Sequence, residues 1–361
     1  MRRATTSDRT KVTLTRQRRG LAALFVVLAT LAVPALPSHA VPASRPDRLP
    51  DRYVVSRAAG VLPEGIGLGR RGTFFVTSSA TGAVYQGRLD RPQMSVFARA
   101  GAAGRTSALG VHTDRVGRVF VAGSTALDVY SPSGRLLTHR PAPAGQVGPA
   151  SLNDLVVTDD AVYVTDFANP VILRAPLLGS RVGVLQPWLD LTPVEPGLPP
   201  PYWFLNGIVA SADQATLLVS SQGLEALLRV DVSHRRASVV DLGPGSFAAD
   251  GLELHNRTLY AVLNYDPPAG QGVYIAQLDA GLRRGRVVAA VTDQFAPFDS
   301  PTTLARDRWG RILVVNSQLD HPPDSSPYTV TAVREPAAQP QSELRKDASV
   351  RAGIPDGSGS R

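Results

Sequence analysis

Asn206-Gly207-Ile208-Val209-Ala210, followed after a turn at Asp213 by Thr216-Leu217-Leu218-Val219-Ser220, is the stretch that decides the fold. A polar residue opens a short apolar strand, a charged turn follows, and a second, more apolar strand returns. Three earlier stretches have the same form. Glu64-Gly65-Ile66 leads through Arg70-Arg71-Gly72 to Phe74-Phe75-Val76. Leu109-Gly110-Val111 leads through Asp114 and Gly117 to Val119-Phe120-Val121, and Asn153-Asp154-Leu155 through Asp159-Asp160 to Val162-Tyr163-Val164. Two later ones follow: Asp250-Gly251-Leu252 through Asn256 to Leu259-Tyr260-Ala261, and Thr302-Thr303-Leu304 through Asp307 and Gly310 to Ile312-Leu313-Val314.

From each lead residue to the middle of its second strand is 10 to 12 residues, and successive leads stand 44 to 53 apart. A unit of that length built from short strands matches one four-stranded blade of a propeller. Third strands follow at Ala83 to Leu89, Val171 to Leu177, Ala226 to Val232 and Gly272 to Leu278. Almost no window has helical period. The expected fold is all-β, a six-bladed β-propeller over residues 52–335. Tyr53-Val54-Val55-Ser56 is placed to supply the outer strand that the sixth unit lacks. A pair of two-sheet sandwiches is the competing all-β fold, but it requires no fixed offset repeated six times.

The chain has 361 residues, 43% hydrophobic and 19% charged, with no cysteine. Its 32 glycines and 30 prolines fall short of the roughly 25–30% that marks low-complexity chains, so a packed core is expected. The net charge of +8 is concentrated in residues 1–40, where seven basic groups face only Asp8. The remainder carries +2, which gives the body no strong attraction to phosphate backbone and excludes nucleic acid as a partner. Residues 1–40 read as a signal peptide: Arg16 to Arg19, an apolar run from Leu21 to Leu36, then Ser38-His39-Ala40. That run is shorter than the about 20 residues a spanning helix needs. Export by the Sec route, or by the twin-arginine route through Arg18-Arg19, is expected to yield a secreted, monomeric protein off the membrane after cleavage near Ala40. Residues 41–51 read as a linker, and 336–361 as a disordered polar tail.

Innermost strands of a propeller border its channel, so the six leads converge at one end of it. They are Glu64, Leu109, Asn153, Asn206, Asp250 and Thr302. Oxygen donors from Glu64, Asn153, Asn206 and Asp250 suit one hard divalent cation, Ca²⁺ first and then Mg²⁺ or Mn²⁺. Zn²⁺ comes last, because it more often brings histidine or cysteine. Singly, Asn-Gly and Asp-Gly are ordinary turn dipeptides. It is their joint recurrence at strand openings that points to ligands.

Pro63-Glu64-Gly65, Asn206-Gly207 and Asp250-Gly251 at successive unit starts resemble the gluconolactonase and senescence-marker-protein (regucalcin-like) family of six-bladed propellers. Asn153-Asp154 is similar to the related paraoxonase-type calcium lactonases. The resemblance covers roughly residues 55–335. It implies that the same four residues bind a divalent cation. It also implies hydrolysis of a lactone or ester, with Asp250 as both ligand and general base. Two positions depart from the pattern. Ala108-Leu109-Gly110 stands where regucalcin-like enzymes show Asn-Asp-Gly, and His112 is displaced along its strand from the paraoxonase-type histidine. A non-catalytic ligand- or protein-binding propeller, with the cation as a structural pin, is therefore the alternative function.

Gly67-Leu68-Gly69-Arg70-Arg71-Gly72 fits the dinucleotide pattern but precedes a strand, so it reads as a hairpin turn. No Gly-x-Ser-x-Gly nucleophile elbow occurs. Pro199-Pro200-Pro201-Tyr202-Trp203-Phe204 stiffens the long connection before Asn206, and Tyr202 and Trp203 are expected to offer a stacking surface over the channel. Arg105, ahead of the second unit, is the candidate for an anionic substrate group.

Overall fold

The computed structural model describes residues 49–336, except 146, 147, 200, 201, 266, 268, 269, 295 and 322–324. The signal peptide, most of the linker and nearly all of the tail expected from the sequence lie outside the described residues. Alternating side chains on short, turn-bounded apolar runs dictate strands, and the described chain is all-β apart from short 3-10 turns.

After an N-terminal strand β1 (Arg52–Ser56), the first antiparallel unit runs β2 (Pro63–Leu68), β3 (Thr73–Ser78), β4 (Val84–Arg88) and β5 (Arg91–Ala98). The second is β6 (Ala108–Thr113), β7 (Val119–Gly123), β8 (Ala126–Tyr130) and β9 (Leu136–Pro141). In the third, β10 (Leu152–Val157), β11 (Ala161–Asp166) and β12 (Val171–Leu178) carry a two-residue spur, β13 (Arg181–Val182), and the outer strand β14 (Gln186–Asp190). The fourth comprises β15 (Leu205–Ala210), β16 (Thr216–Ser221), β17 (Ala226–Asp231) and β18 (Arg236–Val239). The fifth comprises β19 (Ala249–His255), β20 (Thr258–Leu263), β21 (Gly272–Leu278) and β22 (Gly285–Thr292). The sixth has β23 (Pro301–Arg306), β24 (Arg311–Asn316) and β25 (Tyr328–Arg334), and β1 pairs antiparallel with β25 as its fourth strand.

First strands touch in ring order: β2 packs on β6, β6 on β10, β10 on β15, β15 on β19, β19 on β23, and β23 back on β2. The arrangement is a propeller.

Period two explains how the units hold together. Successive residues of a strand face opposite sides of its sheet, and both sides here meet a neighbour. Phe74 and Val76 of β3 pack into the gap facing the sixth unit, while Phe75 packs towards β6 and β7. In β7, Phe120 and Ala122 face the third unit, and Val119 and Val121 the first. Second strands are accordingly apolar on both faces, and each gap between neighbours is filled by its own apolar cluster.

Closure depends on β1. Tyr53 is fully buried, meets the Phe74 ring edge-on at 5.0 Å, donates to the Leu89 carbonyl at 2.9 Å and accepts from Arg311 Nη2 at 2.9 Å. It therefore ties the two ends of the ring together through packing and polar contacts at once. Tyr53→Ala should cost about 3–5 kcal/mol and Tyr53→Phe about 1 kcal/mol in urea denaturation. A loss under about 1 kcal/mol for Tyr53→Ala would show that closure does not rest on this strand.

Candidate metal centre

Every first strand carries a β-bulge at its lead residue. In the first unit Pro63 pairs with Ser78 and Ile66 with Val76, so Glu64-Gly65 is accommodated by one residue of the partner. The same three-against-two step places Leu109-Gly110, Asn153-Asp154, Asn206-Gly207, Asp250-Gly251 and Thr302-Thr303 in bulges. A bulge re-aims side chains and bends its strand. Here it occurs six times at one level of the channel.

The bulges also lock onto one another. A Cβ on Gly65 would overlap the Leu109 carbonyl, one on Gly110 would overlap Asp154, one on Gly207 the Asp250 carbonyl, and one on Gly251 the backbone of Thr303. Only glycine allows these approaches. Hydroxyls from the neighbouring unit then hold the lead carbonyls. Thr77 Oγ1 donates to Leu109 O, Thr165 Oγ1 to Asn206 O at 2.8 Å, Ser220 Oγ to Asp250 O at 3.3 Å, and Thr302 and Thr303 both to Glu64 O.

With the Glu64, Asn206 and Asp250 carbonyls held, their side chains are fixed at the channel end. Glu64, Asn153, Asn206 and Asp250 are only 5–7% exposed. Each has a buried oxygen without a hydrogen-bond partner: Glu64 Oε2, Asn153 Oδ1, Asn206 Oδ1 and Asp250 Oδ1. Buried polar atoms are normally paired, and four orphaned oxygens on four equivalent positions fit a cation with oxygen preference. By contrast, the half-exposed cluster of Asp299, Asp320 and His321 is satisfied within itself. His321 Nε2 meets Asp299 Oδ1 at 2.9 Å, Gln318 Nε2 donates to Asp299 Oδ2 at 3.0 Å, and Ser300 donates to Asp320.

Electrostatics link the central groups. Burial, and then the Asp250 and Asp154 charges, hold the Glu64 carboxyl well above its usual range. Burial pushes Asp250 up to about 7; the Asp154 charge adds to this, and hydrogen bonds from Asn264 and Asn206 oppose it. Asp154 is raised by burial to about 6 against donation from the Leu155 and Ile208 amides.

Asp154 and Asn264 are therefore site residues that were not singled out from the sequence. Asn264 lies one residue past β20 and donates from Nδ2 to Asp250 Oδ2 at 2.6 Å. The matching positions past β16 and β24 are Gln222 and Ser317, which also carry unpartnered buried polar atoms, Gln222 Nε2 and Ser317 Oγ. The signal available was this column of polar residues one place after five of the six second strands (Ser79, Ser124, Gln222, Asn264 and Ser317), with Phe167 the exception.

Two expectations require correction. Arg105 does not face the channel mouth as a free cation. It is 5% exposed, its Nη1 is paired with buried Asp128 and donates to Tyr130 Oη at 2.7 Å, and its Nε donates to Gly82 O at 2.8 Å. Asp128 in turn meets His139 Nδ1 at 2.7 Å, so Arg105 joins the first two units. Trp203 offers no stacking surface, because it is fully buried and its indole donates to Leu198 O at 3.2 Å. Its burial pins the loop and leaves Tyr202, 56% exposed, edge-on to Phe204 at 6.3 Å; Phe204 lies 5.0 Å from Phe167. His112, three residues past its lead, is half-buried, and burial lowers its imidazole to about 4.

Folded-state values raised above the unfolded ones contribute stability at low pH that is lost as pH rises through the folded values. In chelator, stability should therefore fall from about pH 4, near the unfolded aspartate value, to about pH 7 as Asp154 and Asp250 ionise in the folded chain, and level off above that. Asp250→Asn should flatten the fall, and added Ca²⁺ should raise the melting temperature more at the higher pH. A wild-type profile in chelator that is level or rising over that interval would contradict the charge arrangement.

No family model matches the sequence, and no curated protein matches it. Solved structures do. A gluconolactonase of Xanthomonas campestris superposes with a TM-score of 0.52 at 16% identity, over 78% of this chain and 89% of that one. A streptogramin B lyase gives a TM-score of 0.53 at 12% identity, over 79% of this chain and 97% of that one. Both are propellers, and at these identities what the chain shares with them is the fold.

Proposed function

We propose that this chain is an exported, monomeric, six-bladed propeller that holds one divalent cation, Ca²⁺ in first place. Its ligands are Glu64, Asn153, Asn206 and Asp250, and it hydrolyses a lactone or ester bond of a small molecule. The observation that carries this reading is the set of four unpartnered buried oxygens on equivalent bulges. The gluconolactonase among the structural neighbours supports the substrate class.

Such a cation polarises the substrate carbonyl and acidifies water. The chain itself supplies orientation and a base. Asn264 engages Asp250 Oδ2 and so orients the carboxylate that takes the proton from the attacking water. Asp250 is the carboxylate placed to accept that proton and return it. As the tetrahedral species collapses, the C–O bond breaks and the proton passes from Asp250 to the departing alkoxide, which leaves a hydroxy acid from a lactone. Tyr202, Phe204 and Phe167 form a row of rings just ahead of the Asn206 strand, against which an apolar part of the substrate would rest.

The second reading, a binding propeller with the cation as a pin, draws on one observation. Leu109 places carbon where the sixfold pattern could have supplied another donor.

A panel of lactones and esters assayed with and without chelator separates the two. Chelation should abolish turnover, and Asp250→Asn should lower kcat by about 10²–10⁴-fold. If chelation lowers the melting temperature but no panel member is turned over, the pin reading stands instead. Tyr202→Ala should raise KM a few-fold with kcat nearly unchanged, because stacking at the rim is uniform binding. An unchanged KM for every substrate turned over would remove Tyr202 from the site.

A further inference from the structure

At the second position of the six bulges stand Gly65, Gly110, Asp154, Gly207, Gly251 and Thr303. The four glycines allow neighbouring backbones to close up, yet the third unit carries a carboxylate at this crowded level. Room for it comes from the unit before, since a Cβ on Gly110 would overlap Asp154 Oδ1. Its own oxygens are occupied by main chain. Oδ1 accepts from Leu155 N at 2.8 Å, and Oδ2 accepts from Ile208 N at 3.3 Å, the amide directly after the Asn206-Gly207 bulge of the fourth unit. Thr165 Oγ1 accepts from Asp154 N at 3.0 Å and donates to Asn206 O, so the same bulge is held from both sides. Among the described residues no arginine, lysine or histidine pairs with Asp154. Its charge reaches both Glu64 and Asp250.

We infer that Asp154 is a positioning and specificity-determining residue of the cation centre, an inference that rests on the cation reading above. Through Ile208 it sets where Asn206 presents its oxygen. Without being a ligand, it adds a third negative charge to those of Glu64 and Asp250. A divalent ion leaves this set at net −1, whereas a trivalent ion of similar size balances it, so the centre favours higher cation charge.

The test uses full-chain wild type, Asp154→Asn and Asp154→Gly, with Ca²⁺ and Tb³⁺ each titrated alone into chelator-stripped protein. Asp154→Asn keeps the shape and removes the charge. It should weaken Ca²⁺ at least about tenfold and Tb³⁺ by more, so that the Tb³⁺ preference shrinks. The melting temperature of the stripped protein should rise at the same time, as repulsion is relieved. Asp154→Gly, which copies the other units but also releases Ile208, should weaken Ca²⁺ further than Asp154→Asn. A purely structural role would lower the melting temperature and leave the Tb³⁺-to-Ca²⁺ ratio unchanged, and that result overturns the inference while leaving the cation centre standing. Failure of both variants to fold, with stripped wild type folded, likewise makes Asp154 structural only and overturns the inference. No binding of either ion by wild type overturns both readings.

Discussion

The ring of bulges is the constraint on which the rest of the molecule depends. Each first strand has one extra residue at the same level, and the second residue of each bulge lies against the next unit. Once six such contacts close in sequence, the lead side chains have little freedom left in where they aim. Lead carbonyls are held by hydroxyls of neighbouring units, which turns the side chains on the same residues away from the sheets. A strand without the extra residue would keep its period-two register and send the lead side chain into an apolar gap between units.

That geometry brings together groups that repel one another. Glu64, Asp154 and Asp250 are buried within electrostatic reach, and hydrogen bonds from the amides of Asn206 and Asn264 and from two main-chain N–H groups offset only part of the penalty. Burying like charges without a counter-charge is expensive. The apolar gaps between units, each continuous from first strand to third, are what keep such a centre folded. Protonation, or a cation, relieves the repulsion.

Much of this was legible because the units are nearly identical in plan. A near-constant interval from lead to second strand reflects one hairpin with one bulge, repeated, so the lead column could be aligned without coordinates. The place of Tyr53-Val54-Val55-Ser56 was legible because the sixth unit showed no outer strand of its own; the contacts of Tyr53 were not. What escaped was anything decided between units. Whether Arg105 faces solvent or Asp128 depends on a side chain from β8, and Trp203 is drawn inward by Leu191, Leu205 and Leu217 of its cluster. Sequence order does not reveal these contacts. Asp154 was visible as half of an Asn-Asp pair, but its carboxylate acquires meaning only when Ile208 of the next unit is placed beside it.

Ring order also explains why the lead column is uneven. Asn153, Asn206 and Asp250 come from three consecutive units, and all three have short side chains. Glu64 comes from the unit opposite Asn206, flanked on either side by Leu109 and Thr302, neither of which carries a carboxyl or amide. Glu64, so isolated in the column, is also its longest carboxylate, with one methylene more than aspartate. Thr302 and Thr303 both hold the Glu64 carbonyl, so its strand is anchored more firmly than a single hydroxyl would achieve. The fold is shared with those propellers at 12–16% identity, and in this chain it rests on apolar alternation and a bulge per unit.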